Sequence, residues 1–473
     1  MNANIANACL VAALLSSSPL LHAATLDLQA ADLNVPDLGS SASKSLTSTE
    51  ESLLGVETVR KLRGSEPVVE DPELSSWLQN LGNRLARHAP NNGKFHFLIV
   101  KNPDINAYAM PGGIIAIHSG LILNTQSESE LAAVIAHEIA HVSQRHIARM
   151  MSDQELNPLV TGLGVVAGAA AARNSPEAAK AIITGTMAAQ AHQQLSFSRQ
   201  METEADRVGL RILTGAGFDP QAMPAFMEKL DRRTHDLYGD ISRYLRTHPL
   251  SIDRLSDTRN LASQMGKRAA RENETYVYAR EKLRAMTAPA SPVNAQGDPQ
   301  LTRYAQALRQ LQGNPQAALQ TLGNPAGNLP VTLAIAQAYN QSHRYADTEK
   351  LLTPLANGSQ REAVLPVLAE ALLANGKAAQ AWSLLDRVQL VEQTSLEFLE
   401  IRQRVAEQAG QSAEAYRSAA ERSTRMGEYK HARALLEQAT RIPGVPAQTA
   451  ARMHAMMLDI DRAENRSKLL DKR

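Results

Sequence analysis

The chain has 473 residues, more than a single core organises comfortably, so two or three domains are expected. Its 49 basic and 48 acidic residues nearly cancel, which argues against a nucleic-acid partner held by phosphate neutralisation. Aromatic residues are only 4% of a chain rich in alanine and glutamine, so helices packed through small side chains are expected rather than an all-β fold.

Residues 10–21 form a short apolar run ending in Leu21-His22-Ala23-Ala24, the pattern of a cleaved export signal over 1–23. The run is too short to span a bilayer. It follows Cys9, the one cysteine of the chain. Removal of this segment leaves no thiol, so any metal must be held by His, Asp or Glu. Residues 24–51 read as a flexible segment, polar and rich in Ser, Thr and Asp from 32 onward.

An α+β domain is expected over 52–287. Leu74, Leu78, Leu81 and Leu85 mark one face of a helix that starts near Pro72 with Asp71 as its N-cap. Residues 95–100 read as a strand, and 106–117 as two extended pieces around Pro111-Gly112-Gly113. Ser127-Glu128-Ser129-Glu130 offers a capping box for one long helix over 128–151. Residues 159–172 are uncharged and dominated by Gly, Ala and Val. They read as a buried or mobile helical hairpin, with a peripheral membrane contact as the second reading. A further helix is expected over 198–214, stopped by Gly215, Gly217 and Pro220.

Residues 288–299 carry three prolines and no hydrophobic periodicity, and read as an interdomain linker. Beyond it, over 300–473, helical pairs repeat. Residues 342–352 match 375–385 at an offset of 33, and Gly410 and Ala415 follow Gly376 and Ala381 by 34. That period, with small residues at helix crossings, resembles tetratricopeptide repeats.

The chemistry is concentrated in His137-Glu138-Ile139-Ala140-His141. Positions four apart stack on one helix face, so both imidazoles can reach one ion, while Glu138 is rotated by about 100° and lands beside it. Three ionisable groups on an otherwise apolar helix are costly unless partnered, and a metal is a suitable partner. Two histidines leave positions for a third ligand. Glu202 and Asp206, four apart on the later helix, can supply it, one binding the metal and the other orienting an imidazole. Spacing alone does not say which. Glu204 is expected to point away as a solvated charge, and His118 and His146 to be structural or exposed, His146 lying about 140° around the helix from His141.

His137 to His141, the Glu202-x-x-Ala205-Asp206 run some sixty residues later and the Asn106-Ala107-Tyr108-Ala109-Met110-Pro111-Gly112-Gly113 stretch together resemble peptidase family M48, the zinc metallopeptidases. The resemblance implies a mostly helical zincin-type domain holding one Zn2+ through His137, His141 and Glu202. It makes Glu138 the catalytic base and Asp206 the residue that orients a ligand. It also brings Thr247-His248-Pro249 near the metal, where His248 could take a fourth, regulatory position. Residues 219–224, the export signal and the repeats narrow the resemblance to exported bacterial members. The activity implied is an endopeptidase with a chaperone-like role, located in the periplasm or peripheral to the outer membrane. Unfolded or misfolded proteins would be its substrates, and outer-membrane β-barrel proteins and their assembly machinery its partners. Two rivals share the residues: a non-proteolytic adaptor with a latent zinc site, and a two-His-one-carboxylate iron oxygenase, in which Glu138 would have no role.

Overall fold

The computed structural model describes residues 48–91, 93–155, 198–236, 243–266, 274–293, 297–324, 327–390 and 394–470. The expected export signal, residues 24–47 and the Gly/Ala stretch at 159–172 lie outside the described residues.

Two helices lead in, α1 (Ser48–Ser65) and α2 (Pro72–Ala86). The second starts as its sequence predicts: Asp71 caps it by accepting from the Leu74 N–H, and Leu74, Leu78, Leu81 and Leu85 are buried. Each such leucine contributes roughly 1.5–3 kcal/mol of burial, which fixes this face against the sheet and the helix over 128–143.

Three strands follow, β1 (His96–Val100), β2 (Ala107–Met110) and β3 (Ile114–His118), in the order β1-β3-β2. β1 runs parallel to β3 and β2 antiparallel to it. Between β2 and β3 the chain reverses through Pro111-Gly112-Gly113, where both glycines have positive φ. Side chains are barred there: a Cβ on Gly113 would lie 2.1 Å from the Lys94 carbonyl oxygen, and Gly112 rests against Gly55 of α1. The outer edge of β1 is covered by the Pro67–Val69 backbone. The outer edge of β2 pairs with no strand among the described residues. One face of the sheet packs on α2 and the helix over 128–143, and the other buries Val59 and Leu62 of α1.

After the short α3 (Ser119–Asn124) comes α4 (Glu128–Ser143). Ser127 accepts from the Glu130 N–H, and the Glu130 carboxylate reaches back to the Gln126 N–H, one residue beyond the usual capping box. The single helix expected over 128–151 is broken. Gln144 ends α4, Arg145 takes a left-handed φ of 53°, and α5 (His146–Glu155) starts afresh. The Asn91 amide caps the freed Ser143 carbonyl at 2.7 Å.

The later helices of this part are α6 (Arg199–Gly215), α7 (Ala222–Asp236), α8 (Arg243–Thr247), α9 (Ile252–Gln264) and α10 (Glu274–Thr287). α6 is capped by Ser198 and crosses α4 closely. Gly209 permits the approach, since a Cβ there would lie 3.2 Å from the His137 backbone.

The C-terminal half is helical throughout its described residues: α11 (Pro299–Leu311), α12 (Pro315–Leu322), α13 (Leu329–Gln341), α14 (Tyr345–Leu352), α15 (Arg361–Ala374), α16 (Ala378–Leu385), α17 (Leu396–Gln408), α18 (Ser412–Arg425), α19 (Tyr429–Thr440) and α20 (Ala447–Leu470). α14, α16 and α18 begin at 345, 378 and 412, which are 33 and 34 residues apart. Each is preceded by a left-handed residue at the same spacing: His343, Gly376 and Gly410. These helices also touch the N-terminal half. Tyr278 of α10 meets Tyr304 of α11 edge-on at 5.0 Å, the Leu396 N–H donates to Glu70 at 2.8 Å, and Arg60 of α1 donates to the Tyr429 hydroxyl at 3.1 Å. No described helix is long and apolar enough to cross a membrane.

Candidate metal centre

α4 presents His137 and His141 one turn apart, and their Nε2 atoms are 3.0 Å from each other. α6, brought close by Gly209, adds Glu202, whose carboxylate lies 3.5 Å from His137 Nε2 and 3.4 Å from His141 Nε2. The turn after α8 contributes His248, with Nδ1 2.9 Å from Glu202 and 3.4 Å from His137 Nε2. All four are buried, with one ligand atom of each within 4.8 Å of the others. Four ligand atoms in a tetrahedron around zinc at its usual bond lengths would stand about 3.3 Å apart. The observed spacings and the N/O donor set therefore fit a zinc ion.

Charge points the same way. Burial alone would lower the His137 pKa, but hydrogen bonding to Asp206 and Glu202 raises it to about 10, so this cluster draws positive charge. Against the upward pull of burial, His248 and His137 hold the Glu202 carboxyl well below its ordinary range. Burial and the neighbouring His137 push His141 well below the usual imidazole value, which keeps it neutral as a ligand must be.

Glu138 lies beside the cluster and not in it. It is fully buried, its Oε1 is 3.5 Å from His248 Nε2, and neither oxygen makes a well-formed hydrogen bond among the described residues. Burial raises its carboxyl above the ordinary value, partly offset by His248 and His137. Asp206 stands one layer out, its carboxylate 3.1 Å from His137 Nδ1.

Three participants were not legible as such. Arg254 of α9 grips Asp206 with Nε at 2.8 Å and Nη2 at 2.9 Å, reaches Glu202 at 2.7 Å, and donates to the Pro249 carbonyl at 2.7 Å. One guanidinium thus ties both carboxylates to the His248 turn, and no sequence spacing marks it. Tyr244 stacks on His248 at 4.6 Å, and the i, i+4 interval between them is the signal that could have found it. The third is His146. Because the helix breaks at Arg145, His146 does not lie 140° away from His141: it is buried with Nδ1 2.9 Å from His141 Nδ1. Glu204, expected as a solvated charge, instead meets His146 Nε2 at 3.2 Å and Arg149 at 3.0 Å. His118 is buried in β3, edge-on to Tyr108, in keeping with a structural role.

Residues 72–262 match the model of peptidase family M48, and this segment contains every residue of the centre. The chain carries an M48 peptidase domain. Members of this family use zinc, which agrees with the donor set. The chain is similar to the β-barrel assembly-enhancing protease of Escherichia coli O157:H7, 41% identical over 286 residues, covering 59% of this chain and 57% of that protein. The protein of the same name from Yersinia pestis is 40% identical over 289 residues, covering 59% and 58%. A mitochondrial metalloendopeptidase of Arabidopsis thaliana is 32% identical over 221 residues, covering 45% and 41%. The matches to the two bacterial proteins thus span little more than half of their length.

Proposed function

We propose that this chain is an exported zinc endopeptidase that hydrolyses misfolded or stalled envelope proteins and assists the assembly of outer-membrane β-barrel proteins. The observation that carries the reading is the convergence of His137, His141 and Glu202 beside a buried Glu138 with no well-formed hydrogen bond. In this reading those three residues hold one Zn2+, which when bound would polarise a scissile carbonyl and acidify a water. Glu138, its carboxyl raised by burial, takes a proton from that water and delivers it to the leaving amine. Asp206 keeps His137 in the tautomer that offers Nε2, and Arg254 keeps Asp206 and Glu202 ionised and oriented.

His248 serves here as a regulatory fourth ligand. Its Nδ1 faces the cluster while its Nε2 abuts Glu138, so it occupies the space a reacting water needs. Opening requires the Tyr244–His248 turn to move, which gives the resting enzyme low activity.

The edge of β2 that pairs with no strand among the described residues offers an extended chain a place to add as a strand. A groove lined by Met110, Gly112, His141 and Arg145 joins the end of β2 to one histidine of the centre. Recognition through backbone hydrogen bonds suits unfolded clients without strong sequence preference. Residues 52–287 form the catalytic domain, 288–299 the linker, and 300–473 a tetratricopeptide-like array that recruits protein partners. The 33- and 34-residue spacing of α14, α16 and α18 supports the array. The names of the bacterial relatives support the β-barrel clients, and the export signal expected over 1–23 supports a location in the periplasm. The test is cleavage of an unfolded protein such as casein by wild type and by Glu138→Gln, run beside an assay of outer-membrane β-barrel assembly. Loss of cleavage in the variant supports the peptidase, and equal cleavage rejects it.

A further inference from the structure

The break after α4 places a further buried side chain against the metal centre, at His141. A left-handed backbone on a residue other than glycine is uncommon and carries a conformational cost, yet Arg145 adopts one at 53°. Its consequence is local. His146 turns back under α4 and presents Nδ1 to His141 Nδ1 at 2.9 Å, with the rings edge-to-face at 4.9 Å between centroids. Beyond it, His146 Nε2 meets Glu204 at 3.2 Å, and Glu204 is held by Arg149 at 3.0 Å.

The protons in this row follow from one another. If Nε2 of His141 is the ligand atom, its proton sits on Nδ1 and is donated to Nδ1 of His146. That nitrogen must then be an acceptor, so the proton of His146 sits on Nε2 and is donated to Glu204. Glu204, accepting from both His146 and Arg149, is satisfied as a carboxylate. No other neutral arrangement leaves Nε2 of His141 free to bind metal while keeping both imidazole contacts. We propose that His146 is a positioning residue for His141: it accepts the His141 Nδ1 proton, fixes the ring with Nε2 toward the zinc, and is itself fixed by Glu204. Asp206 does the same for His137, so both histidines of α4 have an outer partner. This rests on the reading that His137, His141 and Glu202 hold zinc.

The experiment measures zinc affinity by competition with a chelator, and the visible spectrum of the Co2+-substituted full-length protein, for wild type, His146→Leu, His146→Asn and Glu204→Ala, with thermal unfolding as the control for folding. His146→Leu removes the acceptor and should weaken zinc binding about 10–100-fold and shift the Co2+ bands. His146→Asn, whose carbonyl oxygen stands near the Nδ1 position, should recover most of the affinity and move the bands back toward wild type. Glu204→Ala should lose several-fold. A packing role alone would lower the unfolding temperature of the histidine variants without this ordering in zinc affinity. A folded His146→Leu with wild-type affinity overturns the proposal. Should that variant fail to fold, unchanged affinity in Glu204→Ala overturns it instead. Wild-type protein that binds no zinc overturns the metal reading and this proposal with it, whereas wild-type binding with an unaffected His146→Leu rejects this proposal alone.

Discussion

His248 Nε2 lies 3.5 Å from Glu138 Oε1, so the residue proposed as general base and the one proposed as regulator share a single buried space. Catalysis needs an open coordination position and room for water at that spot. His248→Ala should therefore raise basal hydrolysis of an unstructured substrate and weaken zinc binding. A transition-state donor would behave in the opposite way, with a loss of about a hundredfold in rate and unchanged zinc affinity. Activity and affinity both unchanged would return His248 to ordinary packing.

Arg254 is buried between Asp206, Glu202 and the Pro249 carbonyl. Its removal leaves two carboxylates without their guanidinium, and breaking a buried pair from one side typically costs about 3–5 kcal/mol. Arg254→Ala should lose stability of that order in denaturant unfolding and bind zinc less tightly. Arg254→Lys keeps the charge but not the two-pronged grip, and should fall between wild type and Ala. Wild-type stability in Arg254→Ala would show that these contacts contribute nothing net.

The linker proposed at 288–299 has exposed residues at Pro289, Ala290 and Pro292 and few groups to bury. It should be the favoured nick in limited proteolysis followed by mass spectrometry. The two pieces should nevertheless elute together in size exclusion, because Tyr278–Tyr304, Leu396–Glu70 and Arg60–Tyr429 join them around the cut. A protease-resistant fragment running through the linker would contradict the division into two domains.

Much of this architecture was readable from local rules. Asp71 before Pro72 and Ser127 three residues before Glu130 cap the helices they announce, because capping depends only on neighbouring residues. The pairing of His137 with His141 follows from helical periodicity alone. Choosing between Glu202 and Asp206 does not, and came from family resemblance, since both occupy one face of α6. What remained hidden was tertiary. The stop at Gln144–Arg145 has no glycine to mark it, so periodicity carried the expected helix past it and sent His146 to the wrong side. Arg254 comes from a helix with no spacing relation to α4 or α6. Only the crossing of α6 over α4 at Gly209 and the packing of α9 against α6 bring the guanidinium to the two carboxylates.

In the proposed mechanism His137, His141 and Glu202 hold a zinc ion on which Glu138 acts as base and not as ligand. The direct measurement is metal content together with casein hydrolysis for purified wild type, Glu138→Gln and His141→Ala. Wild type and Glu138→Gln should each carry one zinc per chain, only wild type should cleave, and His141→Ala should lose both zinc and cleavage. Wild type without zinc, or a Glu138→Gln protein that still cleaves, would contradict that mechanism.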